Sequence, residues 1–335
     1  MSQPSVLLSG FADEAANQKT LDQQFSALAA LGMRYFSIRF VDAGNGVKNV
    51  MGLEQKELET VKQKINEYGL SVSSLGSPIG KVKLCDVDDG TTTPYRPFDQ
   101  YILEDVPRAC ELANSLNSKL IRGFSFYHPK GSVLDDHFGQ ATDQVGKIAD
   151  VCKQHGLTYG LEVEANLVGQ NGELLAKMHQ QINNDALVLI FDGGNLVTMG
   201  YSSDEVFEQY ELMKPGLGWL HIKDFLNPKS GKVDHVDEEA LKHFVPADMG
   251  DSGHDRIFAD LATFLPELES RMTARGVPGV FLDLEPHVKG GGQFGGFSGP
   301  DGFGVALRAL CRVCDGAGIG YRLREFSDIH KDRGF

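Results

Sequence analysis

Tyr159-Gly-Leu-Glu-Val-Glu-Ala-Asn166 reads as a buried strand that ends in carboxylates. Side chains alternate along a strand, so Leu161 and Val163 face one way and Glu162 and Glu164 the other. Two acids on one inner face repel each other unless a positive charge lies close by, and a bound divalent cation is the simplest remedy. Three later apolar runs end in the same kind of residue: Phe191-Asp192, Leu220-His221 and Leu284-Glu285. Four strand ends bearing Glu, Asp, His and Glu imply one metal at the mouth of a barrel.

The pattern around that stretch supports a barrel. Short apolar runs at 6–11, 34–41, 70–75, 119–126, 157–164, 186–192, 218–221 and 280–285 read as strands. Between them, helical spacing marks 19–31, 53–68, 101–116, 134–155, 173–182, 204–213, 257–272 and 305–316. Glycines close several of these helices, among them Gly32, Gly69 and Gly156. Strand–helix alternation implies parallel strands joined by right-handed crossovers, and eight units over this length match an α/β fold of the single (β/α)8 TIM barrel type. No break in composition marks a second domain, so residues 1–335 read as one barrel, with 319–335 as a polar extension wrapping the outside. The long loops at 81–99, 227–255 and 290–304 all follow strands and therefore belong to the catalytic face.

Composition narrows the function. The chain has 335 residues, is 41% hydrophobic and 23% charged, and carries a formal net charge of −14, which suits a soluble protein and argues against a nucleic-acid partner. No apolar run approaches the ~20 residues of a membrane span, and no basic region precedes the first apolar run, so a cytoplasmic location is expected. The five cysteines read as reduced thiols, and Cys311-Arg-Val-Cys314 lies in an apolar helical pattern that favours core packing over zinc.

Each candidate ligand occupies the last inward position of its strand. Three carboxylates and one imidazole form a hard, oxygen-rich set that favours Mn²⁺, Mg²⁺ or Co²⁺, with Zn²⁺ also compatible. Packing three negative charges together calls for a cation, so the metal is also expected to stabilise the fold.

Four segments carry a resemblance: Gly156-Leu-Thr-Tyr-Gly-Leu-Glu162, Ile190-Phe-Asp192-Gly-Gly-Asn195, Leu220-His-Ile-Lys-Asp224 and Leu284-Glu-Pro-His-Val-Lys289. Together with Gly69-Leu-Ser-Val-Ser-Ser-Leu-Gly-Ser-Pro78 they make the chain resemble the xylose isomerase-like TIM barrels from Gly10 to about Leu310. That superfamily includes sugar phosphate isomerases, ketose 3-epimerases and endonuclease IV. The resemblance implies that Glu162, Asp192, His221 and Glu285 hold one divalent metal. It also implies that Glu162 and Glu285 move protons on opposite faces of a sugar, through a metal-stabilised enediolate. A small-molecule carbohydrate is then the substrate, and a homodimer or tetramer the assembly. The chain departs from the family at three places. Asn195 stands where a histidine is frequent, Leu167 and Val168 occupy the region of a second epimerase acid, and Asn227-Pro228 lie where an arginine is expected.

Further candidates surround the four. Glu164 shares the inward face with Glu162 and competes with it as first ligand, and the spacing from Gly156 favours Glu162. Asn195, Lys223, Asp224, His287 and Arg122 are candidates for substrate oxygens. Arg122 is an inward charge in an apolar run and needs a partner; a barrel carboxylate is the favoured one. His128 reads either as a base or as a loop residue. Phe294, Phe297 and Phe303 give the glycine-rich loop the look of a lid. The leading expectation is a metal-dependent sugar isomerase or epimerase. The rivals are a metal-dependent lyase acting on 3-keto glycosides, an endonuclease IV-like enzyme and a sugar-binding barrel without catalysis.

Overall fold

The computed structural model describes residues 3–228, 231–237, 241–290 and 296–334. In chain order its strands and helices are β1 (Leu7–Gly10), α1 (Leu21–Ala30), β2 (Tyr35–Ile38), β3 (Phe40–Asp42), β4 (Val47–Asn49), α2 (Gln55–Glu67), β5 (Ser71–Ile79), α3 (Phe98–Ser115), β6 (Leu120–Gly123) and α4 (Asp135–Gln154). These are followed by β7 (Thr158–Glu162), α5 (Gly172–Ile182), β8 (Leu187–Asp192), α6 (Gly193–Thr198), α7 (Ser203–Met213), β9 (Leu217–Ile222), β10 (Asp224–Phe225), β11 (Phe244–Val245), α8 (His254–Thr273), β12 (Phe281–Leu284), α9 (Gly299–Ala317) and α10 (Phe326–Arg333).

Eight parallel strands run in the order β1-β12-β9-β8-β7-β6-β5-β2, and a parallel bridge between Phe11 and Ser37 closes the seam. The fold is a single (β/α)8 barrel. Its strands are buried on both faces, which is why they read as almost continuous apolar runs. Register matters at the mouth: Asp192 pairs with His221, and His221 with Asp283.

Alternation stacks the interior in layers. Gly160, Ile190 and Trp219 lie one step below Glu162, Asp192 and His221 on β7, β8 and β9. Gly160 is glycine because a Cβ there would overlap the Trp219 indole, which fills the barrel beneath the site. Gly80 has φ +87 and lies against the Phe124 carbonyl, where any side chain would both strain the backbone and collide.

Several boundaries differ from the sequence reading. The third barrel strand, read as 70–75, runs on through Gly76 and Pro78 to Ile79, with a register shift beyond Leu75. Residues 34–41 divide into β2 and a short hairpin strand. The loop at 227–255 contains β11, which pairs antiparallel with β10, and α8 begins at its end. Helix α9 starts at Gly299, so Phe303 is fully buried core and not part of a lid. Phe294 lies outside the described residues, and Phe297 is half-buried.

The C-terminal segment packs beneath the barrel. Val6 N–H donates to Gly320 O at 2.8 Å, and the Arg324 guanidinium donates to Met33 O at 2.7 Å and Gly69 O at 2.8 Å. Cys314 is core and Cys311 half-buried in α9, and all five cysteines are free thiols. No described helix is long and apolar enough to cross a membrane.

Candidate metal centre at the barrel mouth

Ligand atoms of Glu162, Asp192, His221 and Glu285 all lie within 4.8 Å of one another, and all four residues are buried. Each comes from the end of its own strand, as the alternation requires. Glu162 Oε1 lies 3.0 Å from His221 Nδ1, and the Asn195 side-chain amide donates to Val163 O at 3.0 Å and toward Glu162 at 3.4 Å. Asp192 divides its carboxylate: Oδ1 accepts the Asn195 backbone N–H at 3.1 Å and caps α6, while Oδ2 faces the Lys223 ammonium at 3.1 Å. His221 Nε2 has no hydrogen-bond partner among the described residues and faces Asp283 Oδ2 at 3.8 Å.

Three buried basic side chains ring this centre. Lys223 Nζ lies 3.1 Å from Asp192 and 3.2 Å from Glu285. Arg122 Nη1 lies 3.5 Å from Glu162 and 3.7 Å from Glu285, with its guanidinium over the Phe11 and Phe124 rings. Arg39 grips Glu285 through Nη1, Asp13 at 3.2 Å and Glu14 at 3.5 Å. The expectation that the three acids need a cation close by is met in part by the chain itself, through Lys223, Arg122 and Arg39. Arg122 does find barrel carboxylates as partners.

Electrostatics follow from these contacts. Burial alone would raise the Glu162 carboxyl, but His221 and Arg122 outweigh it and hold it at about 2. Burial likewise opposes ionisation of Glu285, yet Lys223 and Arg39 bring it well below the usual carboxylate range. Asp192 goes the other way: burial raises it to about 6 in spite of Lys223. Burial disfavours the His221 imidazolium, and Glu162 more than restores it. With Asp13 balanced by Lys19 at 2.9 Å, five buried carboxylates (Glu14, Glu162, Asp192, Asp283, Glu285) face three fixed cations (Arg39, Arg122, Lys223) among the described residues. Two negative charges remain when all five are ionised and the imidazoles are neutral, and burial favours a proton on Asp283. A proton on His221 or a metal ion can meet the rest. Three carboxylates and an imidazole whose Nδ1 lies 3.0 Å from Glu162 and 3.9 Å from Glu285 fit a hard divalent cation.

The other sequence candidates separate. Glu164 stands beyond the end of β7, outside the four-donor group, and pairs with Lys81 at 2.9 Å. Asp224 is spent on the following loop, accepting from Gly250 N–H at 3.1 Å and Ser252 N–H at 3.0 Å and facing His254 Nδ1 at 3.3 Å. His287, at φ +51, is fixed by Glu14, whose carboxylate lies 2.6 Å from its Nδ1 and accepts its backbone N–H at 2.9 Å. His128 Nδ1 lies 3.1 Å from the Ser132 hydroxyl, on a loop away from the four donors.

The sequence reading did not single out Asp13, Glu14, Arg39 or Asp283. Arg39 carries the same signal as Arg122, a charge inside an apolar run. Asp283 alternates with Glu285 as Glu162 does with Glu164. Asp13 and Glu14 sit in a three-residue 3-10 turn after β1, which no periodicity marks.

No curated protein matches the chain. Solved structures share its fold. The structure of a xylose isomerase-like TIM barrel protein from Mycobacterium smegmatis in complex with magnesium has 15% identity, covers 95% of this chain and 99% of its own, and gives a TM-score of 0.61. The IOLI protein with a bound zinc atom has 14% identity, coverage of 93% and 98%, and a TM-score of 0.60. D-allulose 3-epimerase from Methylomonas sp. in complex with D-allulose has 15% identity, coverage of 93% and 99%, and a TM-score of 0.58. The model of the xylose isomerase-like TIM barrel family matches residues 25–290, most of the barrel, and the chain belongs to that family.

Proposed function

We propose that this protein is a divalent-metal-dependent enzyme that moves a proton next to the carbonyl of a sugar, as an isomerase or epimerase. The observation that carries the reading is the convergence of Glu162, Asp192, His221 and Glu285 within 4.8 Å at the mouth of the barrel. Mg²⁺, Mn²⁺ and Co²⁺ suit the oxygen-rich set best. Bound among these residues, such a cation supplies positive charge for the oxygen anion that develops on the substrate.

The chain's own residues do the rest. Glu162 and Glu285 are held as carboxylates by His221, Arg122, Lys223 and Arg39, so either can accept a proton at an oxygen. One removes the proton beside the carbonyl; in an isomerisation the same group returns it to the neighbouring carbon, and in an epimerisation the other returns a proton that it has first taken up from solvent. Lys223 and Arg122, both fixed on carboxylates of the site, present donors to substrate oxygens. Phe11 and Phe124 pack against Arg122 and limit water around it.

The test is deuterium exchange. Metal-loaded protein in D₂O is expected to place deuterium beside the carbonyl of a ketose or its aldose partner, and Glu285→Gln to abolish this. No exchange on any ketose–aldose pair overturns the reading. Release of an aglycone from a 3-keto glycoside would instead show elimination.

A further inference from the structure

Beside the four-donor group lies a second set of side chains of metal-ligand type. Ligand atoms of Glu14, Glu285 and His287 also lie within 4.8 Å of one another, and all three residues are buried. Glu285 belongs to both sets and divides its carboxylate between them. Its Oε2 lies 3.2 Å from Lys223 Nζ and 3.9 Å from His221 Nδ1, on the side of the first group. Its Oε1 lies 3.7 Å from Arg122 Nη1 and bonds Arg39. Two-metal sites hold their ions about 3.5–4 Å apart, and a carboxylate that offers one oxygen to each side can bridge them.

Arg39 occupies the place such a second ion would take. Its Nη1 bonds Glu285 Oε1, and its Nη2 lies 3.5 Å from Glu14 Oε1 and 3.2 Å from Asp13 Oδ2. Glu14 Oε1 is also the oxygen 2.6 Å from His287 Nδ1, so the guanidinium, the imidazole and both carboxylates of the set meet in one place. Asp13 has a second cation in Lys19, and Glu285 has Lys223 and Arg122. Among the described residues Arg39 is the only arginine or lysine within ion-pair distance of Glu14.

The donors are held in place by groups other than Arg39. Glu14 Oε2 accepts the His287 backbone N–H and the Ser298 hydroxyl, each at 2.9 Å, which leaves Oε1 turned toward the cation. The Phe244 ring packs edge-to-face against the His287 imidazole, with 5.0 Å between centroids. Deleting the guanidinium therefore removes a positive charge and opens the room of a side chain beside two carboxylates and an imidazole. A buried carboxylate that loses its partner is costly, so a divalent cation is drawn to the gap. The set suits Mn²⁺ or Zn²⁺, which accept mixed oxygen and imidazole ligands.

We propose that Arg39 stands in the place of a second divalent ion. The native centre holds one ion, and Glu14, Glu285 and His287 form a latent second site that binds Mn²⁺ once the guanidinium is gone. The proposal rests on the metal reading of the first group and adds to it the number of ions. The test is manganese binding by equilibrium dialysis, with EPR of the bound ions. Wild type is expected to bind one Mn²⁺ and Arg39→Ala two, the isolated-ion signal of wild type giving way to that of a coupled pair. Arg39→Ala/Glu14→Gln is expected to return to one ion, since Glu14 lies outside the first group. One ion in Arg39→Ala, two in wild type, or two in the double variant overturns the proposal. Should wild type bind no manganese, the metal reading of the first group fails separately. Arg39→Ala against the double variant then decides the latent site: one ion against none supports it, and equal binding refutes it. If Arg39→Ala does not fold, Arg39→Gln is measured in its place. Failure of both to fold in 1 mM MnCl₂ also refutes the proposal, because an ion in the guanidinium's place would restore the charge.

Discussion

Arg39→Met removes the side chain that ties the acids of the turn after β1 to Glu285 in the candidate metal site. The guanidinium is 5% exposed and bonds Glu285, Asp13 and Glu14 at once, while lying 4.4 Å over the Phe11 ring. Deleting it leaves buried carboxylates facing one another, the situation in which breaking a buried ion pair costs about 3–5 kcal/mol. The replacement keeps much of the aliphatic bulk, so a cavity adds little. At about 2 °C per kcal/mol, toward the large-domain end of the usual range, the melting temperature should fall by roughly 6–10 °C. The assay is scanning calorimetry in EDTA and again with 1 mM MnCl₂. Manganese should recover part of the loss, because it places positive charge beside Glu285. Arg39→Lys should fall between wild type and Arg39→Met, since an ammonium restores charge without the planar fork. A variant within 1 kcal/mol of wild type in EDTA would refute the reasoning.

Three further predictions follow from single contacts. Asp283→Ala removes the carboxylate that faces His221 Nε2 from below and should weaken manganese binding about 10–100-fold by calorimetric titration, the range for outer partners of a ligating histidine; unchanged affinity would deny Asp283 that part. Gly160→Ala forces a methyl group into the Trp219 ring and should cost about 1–3 kcal/mol in urea unfolding, or more if the indole cannot shift. His254 is fully buried; burial lowers its pKa, but Asp224 more than reverses this and raises it above 6.5. A raised folded pKa gives stability that is complete below 6.5 and fades as pH climbs through the folded value. His254→Leu should therefore lose more stability relative to wild type at pH 6 than at pH 9, and an equal or reversed loss in urea melts would contradict the assignment.

The barrel was legible because its strands are short apolar runs at regular spacing, four of them closed by a residue that burial alone does not explain. The four donors could be read for the same reason: alternation fixes which strand-end residue faces inward. What escaped the sequence is pairing across the barrel. Arg39 meets Glu285, and Glu14 meets His287, over separations of 246 and 273 residues, and no local period encodes such contacts. The reading that a metal is the simplest source of positive charge missed Arg39 and Lys223 as partners of these acids for the same reason. The β5 strand was cut short because Gly76 and Pro78 carry turn chemistry that the barrel overrides. Phe303 was misplaced in a lid because Gly299 and Pro300 open α9 earlier than the apolar spacing suggested.

The most direct test is the metal content of protein stripped with EDTA and re-equilibrated with manganese, measured by elemental analysis beside an Asp192→Asn/His221→Gln double variant. The account predicts one ion per wild-type chain and almost none in the variant. Wild-type protein without manganese, or a variant that retains a full equivalent, would contradict it.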